Sequence, residues 1–116
     1  MTITDTLSLA DMTENAARAA SLMKLLANEH RLLVMCHLAA EGELTAGALV
    51  ERSGLSQSAL SQHLGKLREE GLVDYRREAQ TLFYRIADPN AERVLVLLHD
   101  IYCPELGSGN SEEVNR

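Results

Sequence analysis

Two cysteines and four histidines are the side chains of this 116-residue chain best suited to chemistry beyond packing. Cys36 stands inside the apolar run LLVMCHLAAEG, and Cys103 closes LHDIYCP 67 residues later. The opening MTITDTLSLADMTEN is polar and acidic, without the basic start and apolar run of a secretory signal. No apolar run approaches the roughly 20 residues that a membrane span needs. These features predict a cytoplasmic protein with no membrane partner. In a reducing compartment a permanent structural bridge is not expected, so the two thiols pack in a core, ligate a metal or exchange sulfur. His99 precedes Cys103 by four residues and can share its helix face, and His37 adjoins Cys36, so a mixed Cys/His metal site competes with a redox pair. Alternatively, a protonated His99 would lower the pKa of the neighbouring thiol and favour its nucleophilic form. His30, His37 and His63 otherwise read as surface or helix-packing histidines.

The elements that must position these groups are helical almost throughout. Ala16, Ala19, Ala20, Met23 and Leu26 recur at three- to four-residue intervals and predict a first helix. Asn28 caps a second, running from about Glu29 to Ala40 and stopped by Gly42. Thr45 caps the short helix AGALVERS, which ends at Gly54; Ser56 caps a longer one that runs to Glu70 and stops at Gly71. Two helices joined by SGL suggest a helix-turn-helix. Alternation then replaces helical spacing: Val73 and Tyr75, followed by Leu82, Tyr84 and Ile86, predict a β-hairpin with EAQ at its tip. Asp88 as N-cap and Pro89 at the first helical position open a last helix through AERVLVLLHDIYC, which Pro104 ends. Residues 1–14 read as a variable extension, 15–104 as one domain, and 105–116 as a disordered tail.

Composition allows one small domain, with 46% hydrophobic residues for its core, and a helical protein of this size often completes that core by dimerising. The formal net charge of −6 argues mildly against a nucleic-acid partner, but the acids gather at the ends. Residues 57–85 carry Lys66, Arg68, Arg76, Arg77 and Arg85 against four acids, a local footprint suited to DNA. Within Ser56 to Glu70, Leu60, Leu64 and Leu67 form one apolar stripe opposite Ser58, Ser61, Gln62, Gly65 and Lys66. Glutamine can pair with adenine, serine with bases or phosphates, and lysine neutralises phosphate, so this face suits the major groove. Gln57 can reach the DNA from the helix start, Thr45 joins the contact set, and Arg76 and Arg77 can reach the backbone or minor groove from the hairpin. The expected fold is therefore mainly α with a small β-hairpin: a winged helix-turn-helix.

From LMKLLANEHRLLVMCHLA through LTAGALVERSGLSQSALSQHLGKLREEGLVDYRREAQTLFYRI, the chain resembles the arsenical-repressor (ArsR) family of small dimeric winged-helix repressors. The resemblance covers roughly Ala16 to Pro104 and implies a homodimer through the first and last helices, a double-stranded operator as partner, and an inducer that weakens operator binding. The arsenic and cadmium sensors of the family carry paired cysteines in the helix before the recognition helix, and AGALVERS has none. Its zinc sensors use Asp and His ligands on the last helix, where this chain offers only Asp88 and His99, with Tyr102 at a further ligand position. Cys36 and Cys103 match instead the two positions used by the persulfide-responsive branch. That match implies a redox pair responding to persulfides and polysulfides, with no metal or other cofactor; a metal-responsive repressor using a Cys/His site is the alternative. No G-x-S-x-G elbow or phosphate-cradling glycine loop is present, so no enzymatic activity is expected. A purely protein-binding winged helix is the competing class, and salt-sensitive binding to one promoter sequence would exclude it.

Overall fold

The computed structural model describes residues 8–103. Five helices and three short strands follow one another as α1 (Leu9–Leu26), α2 (Glu29–Glu41), β1 (Leu44–Thr45), α3 (Ala46–Ser53), α4 (Gln57–Glu69), β2 (Val73–Glu78), β3 (Thr81–Ile86) and α5 (Pro89–Tyr102). Each helix start has a side-chain cap that satisfies otherwise orphaned backbone N–H groups. Asn28 Oδ1 accepts from His30 and Arg31 N–H at 3.0 Å each, Ser56 Oγ from Ala59 N–H at 3.1 Å, and Asp88 Oδ1 from Asn90 N–H at 2.9 Å. Gly42 and Gly54 end α2 and α3 with φ of 88° and 74°, a backbone region that a side chain disfavours.

The core gathers one stripe from every helix. Val34, Met35 and Leu38 of α2, Leu49 of α3, Leu60, Leu64 and Leu67 of α4, and Ala91 and Leu95 of α5 are all buried, with Leu25 and Leu26 closing it from α1. Full burial of each large aliphatic side chain contributes roughly 1.5–3 kcal/mol, so these leucines determine which face of α4 turns outward. The sheet has the order β1-β3-β2 and is antiparallel throughout. Val73 faces Ile86 and Glu78 faces Thr81, leaving Ala79 and Gln80 as a two-residue turn.

Four expectations change in detail. The hairpin gains a third strand, because Leu44 pairs with Tyr84 and Thr45 with Phe83; two residues are too few to show alternation in a sequence. α1 starts at Leu9, capped by Ser8, within the stretch 1–14 set apart as an extension. Its apolar spacing is not a core stripe within the chain: Ala16, Ala19, Ala20 and Met23 are exposed, and Leu26 alone of the five residues is buried. Cys103 lies just beyond α5 as its C-cap, its N–H donating to His99 O at 2.8 Å. Pro104 and the tail 105–116 fall outside the described residues.

Candidate functional site

The polar face of α4 is held outward by the leucines beneath it. Gln57, Ser58, Ser61, Gln62, Gly65 and Lys66 are all exposed, and Ser61, Gln62, Gly65 and Lys66 line one shallow, open depression with Arg68 and Glu69. Gly65 has open space where a Cβ would stand, so close approach of another molecule meets no side chain there. Thr45 is half-buried and its Oγ1 accepts from Ala48 N–H at 3.1 Å, which caps α3 and leaves the hydroxyl proton free to donate.

The hairpin separates its two expected DNA contacts. Arg77 is exposed, shares the β2 face of Val73 and Tyr75 by alternation, and has no ion pair among the described residues. Tyr75 on that face lies against α4, with the Arg68 guanidinium 4.4 Å from its ring centre. Arg76 points the other way. Its Nε donates to Glu43 Oε2 at 3.1 Å, its Nη1 lies 3.4 Å from Glu78, and its guanidinium sits 4.5 Å from the Phe83 ring centre. The hydrogen-bonded carboxylates raise the Arg76 pKa further above its ordinary value. Arg76 is thus engaged in tying the wing to the segment after α2, a partnership across 33 residues that no local signal announces. Glu43 also lies 3.8 Å from Arg85, and Glu41 accepts two hydrogen bonds from Arg52 of α3. The end of α2 is thereby pinned both to α3 and to the wing.

The two cysteines stand on α2 and just beyond α5, near enough that the charge of Cys103 bears on Cys36. Cys36 and Cys103 are both free thiols, the first exposed and the second half-buried. Cys36 lines a cleft of about 360 Å³ between α2 and α5 with Ala39, Leu95, Val96, His99 and Asp100. Loss of solvent around its sulfur, followed by the charge of Cys103, pushes the Cys36 thiol up from its ordinary value. The balance at Cys36 therefore opposes the thiolate, although His99 lines the same cleft. Although Cys36 stands inside an apolar run, it is not part of the core: α2 turns Val34, Met35 and Leu38 inward and Cys36 toward α5. Asp100, the residue after His99, was not singled out by sequence reasoning and also lines this cleft. Among the described residues no group of three or more His, Cys, Asp and Glu side chains is placed to hold a metal ion. His30 and His63 meet elsewhere, with ring centres 5.9 Å apart.

Residues 28–75 match the family model described as bacterial regulatory protein, arsR family. The chain is 47% identical over 97 residues to the transcriptional activator HlyU of Vibrio cholerae, covering 84% of this chain and 89% of that protein. A solved structure of reduced HlyU from the same species superposes with a TM-score of 0.77 at 48% identity, covering 82% of this chain and 99% of that one. The biofilm growth-associated repressor of Agrobacterium fabrum is 44% identical over 95 residues, covering 82% of this chain and 80% of that protein. A homodimeric winged helix-turn-helix DNA-binding domain from Mycobacterium bovis superposes with a TM-score of 0.69 at 30% identity, covering 87% of this chain and 92% of that one.

Proposed function

The chain belongs to the arsR family of bacterial regulatory proteins, and from that premise we propose a homodimeric repressor that binds operator DNA when reduced and releases it when Cys36 and Cys103 become linked. That it is a DNA-binding transcriptional regulator and not an enzyme follows from the family. The dimer forms through α1 and α5, whose Met23, Val96, Leu97, Ile101 and Tyr102 are exposed apolar side chains within one chain. Operator contacts come from Thr45, Gln57, Ser58, Ser61, Gln62 and Lys66, with Arg77 reaching the backbone from the wing and Arg76 steadying it.

What supports the switch is that Cys36 faces α5 across a cleft and that Cys103, 67 residues away in sequence, lies near enough for its charge to help raise the Cys36 pKa. One thiolate attacks an S–S bond of a polysulfide, retains two or more sulfur atoms and releases the shorter sulfide anion. The second thiolate attacks that adduct and hydrosulfide leaves, so both cysteine sulfurs are oxidised and the electrons depart on sulfide. The resulting bridge ties α2 to the end of α5. A bias of about 1.4 kcal/mol between two states already changes affinity tenfold, and α2 is pinned to α3 and the wing through Glu41 and Glu43. Peroxide is a weaker inducer in this scheme, because a plain disulfide requires the sulfurs to close to about 2 Å whereas inserted sulfur spans a longer gap.

Cys36→Ser and Cys103→Ser are each expected to fold, dimerise and bind operator, yet to keep it when polysulfide is added. Mass spectrometry of the wild-type chain should show a linked peptide that both variants lack. Full release of DNA by either single variant would refute the two-thiol switch.

A further inference from the structure

A second positively charged site lies beside α4, away from the thiol cleft. Ser21 and Lys24 of α1, Arg31 of α2, and Lys66 and Glu70 at the end of α4 line one hollow of about 260 Å³. Arg31 is fixed there: its Nε donates to Leu25 O at 2.7 Å, which leaves both terminal amino groups for a ligand. None of Lys24, Arg31 and Lys66 forms an ion pair among the described residues, although three arginines elsewhere do. Glu70 is the one acid in the lining, so the hollow carries three positive charges against one negative. His63 reports the same excess: burial, then the charges of Arg31 and His30, hold its pKa below the ordinary histidine value. Lys66 connects this site to the reading face, since it also lines the depression formed by Ser61 and Gln62.

We propose that this hollow seats a backbone phosphate of the bound DNA, flanking the groove segment read by α4, so that Lys24 and Arg31 join Lys66 as sequence-independent contacts. The chemistry matches: a guanidinium already oriented by one hydrogen bond presents its remaining donors to phosphate oxygens, and two flexible ammonium groups neutralise the charge. An anionic strand is also the partner present along the whole neighbouring face, which suits an open hollow. The proposal rests on DNA binding alone and is independent of the thiol switch.

The test compares the full-length wild-type chain with Lys24→Gln, Arg31→Lys and Glu70→Gln, titrating a random-sequence duplex long enough to cover the dimer over a range of salt. Each lost phosphate contact reduces the slope of log affinity against log salt by about 0.9, and a substitution carried by both subunits of the dimer by twice that. Lys24→Gln should show that reduction and weaken every DNA sequence alike. Arg31→Lys keeps the charge but loses the fork, and should weaken binding with the slope retained. Glu70→Gln should strengthen binding, because it removes the opposing charge. DNA should also raise the His63 pKa, followed by NMR titration. Unchanged affinity and slope in Lys24→Gln, with wild-type binding intact, would overturn the proposal while leaving the DNA-reading function standing. Failure of the wild-type chain to bind any duplex would overturn both. Inorganic phosphate that shifts His63 as DNA does, while Lys24→Gln leaves DNA affinity untouched, would replace it with a free-anion site.

Discussion

Leu60, Leu64 and Leu67 hold the polar face of α4 over a core in which each is at most 3% exposed, whereas the thiol cleft opens beside Val96, Leu97, Ile101 and Tyr102, all more than half exposed. One region is completed by a single chain. The other keeps apolar side chains exposed within the single chain, and Cys36 faces the cleft beside them. The DNA-reading role proposed for α4 requires an orientation held to within the tolerance of a hydrogen bond, which favours close packing. The switch proposed for the cysteines requires two accessible arrangements, which favours a region with fewer internal contacts. The link between them is made by polar contacts: Arg52 with Glu41 and Arg76 with Glu43 tie the end of α2 to α3 and to the wing.

The largest effect expected from this contrast comes from truncating its packed side. Leu67→Ala should destabilise the fold by about 2–5 kcal/mol, because the removed methyl groups leave a cavity that the neighbouring leucines fill only in part. Urea unfolding monitored by circular dichroism measures it. Leu97→Ser, on the open side, should leave helical content intact and instead shift the concentration dependence of dimerisation in sedimentation. If Leu97→Ser unfolds the chain as readily as Leu67→Ala, the two regions do not differ in the way described.

A smaller effect is expected at the wing tip. Ala79 has φ of 58° at the first position of a two-residue turn, a left-handed conformation that costs a residue with a Cβ roughly 1–2 kcal/mol. Glycine removes that cost while losing about 0.4–1 kcal/mol through its freer unfolded chain. Ala79→Gly should therefore raise stability by a net fraction of a kcal/mol, visible as a small rise in Tm, with DNA affinity unchanged. A fall in Tm would mean that the turn carries no backbone strain.

The subtlest test reads the coupling between the thiols. Partial loss of solvent and then the charge of Cys103 disfavour the Cys36 thiolate, and both act in the same direction, upward. Cys103→Ser removes the second cause and leaves the first, so the Cys36 pKa should fall while staying above its ordinary value. At a fixed pH below that pKa the thiolate fraction, and with it the alkylation rate of Cys36 by iodoacetamide, should increase. A pH–rate profile identical to that of the wild-type chain would show that the two sulfurs do not sense each other.

Much of this architecture was legible locally because the forces involved act over a few residues. Asn28, Thr45, Ser56 and Asp88 cap the four helices they were expected to cap, since a cap needs only a side-chain oxygen and an N–H two or three positions ahead. The leucine stripe of α4 and the alternation of β2 and β3 gave the orientation of their side chains for the same reason. The exposed apolar residues of α1 show where that logic stops: periodicity identifies a helix face that avoids water, but not whether its partner lies in the same chain.

The sequence by itself determined the starts of α2, α3, α4 and α5, the outward polar face of α4, the hairpin and the presence of two cysteines, the first three through local hydrogen-bonding capacity and apolar spacing. Tertiary structure alone decided that β1 joins the sheet, that Arg76 turns to Glu43 while Arg77 stays free of ion pairs among the described residues, and that Cys36 faces α5 across a cleft, within reach of the charge of Cys103. It also gathered Lys24, Arg31 and Lys66 from three helices into one hollow. Each of these depends on pairs far apart in the chain, whose separation is set by how whole helices pack and not by the residues on either side of them.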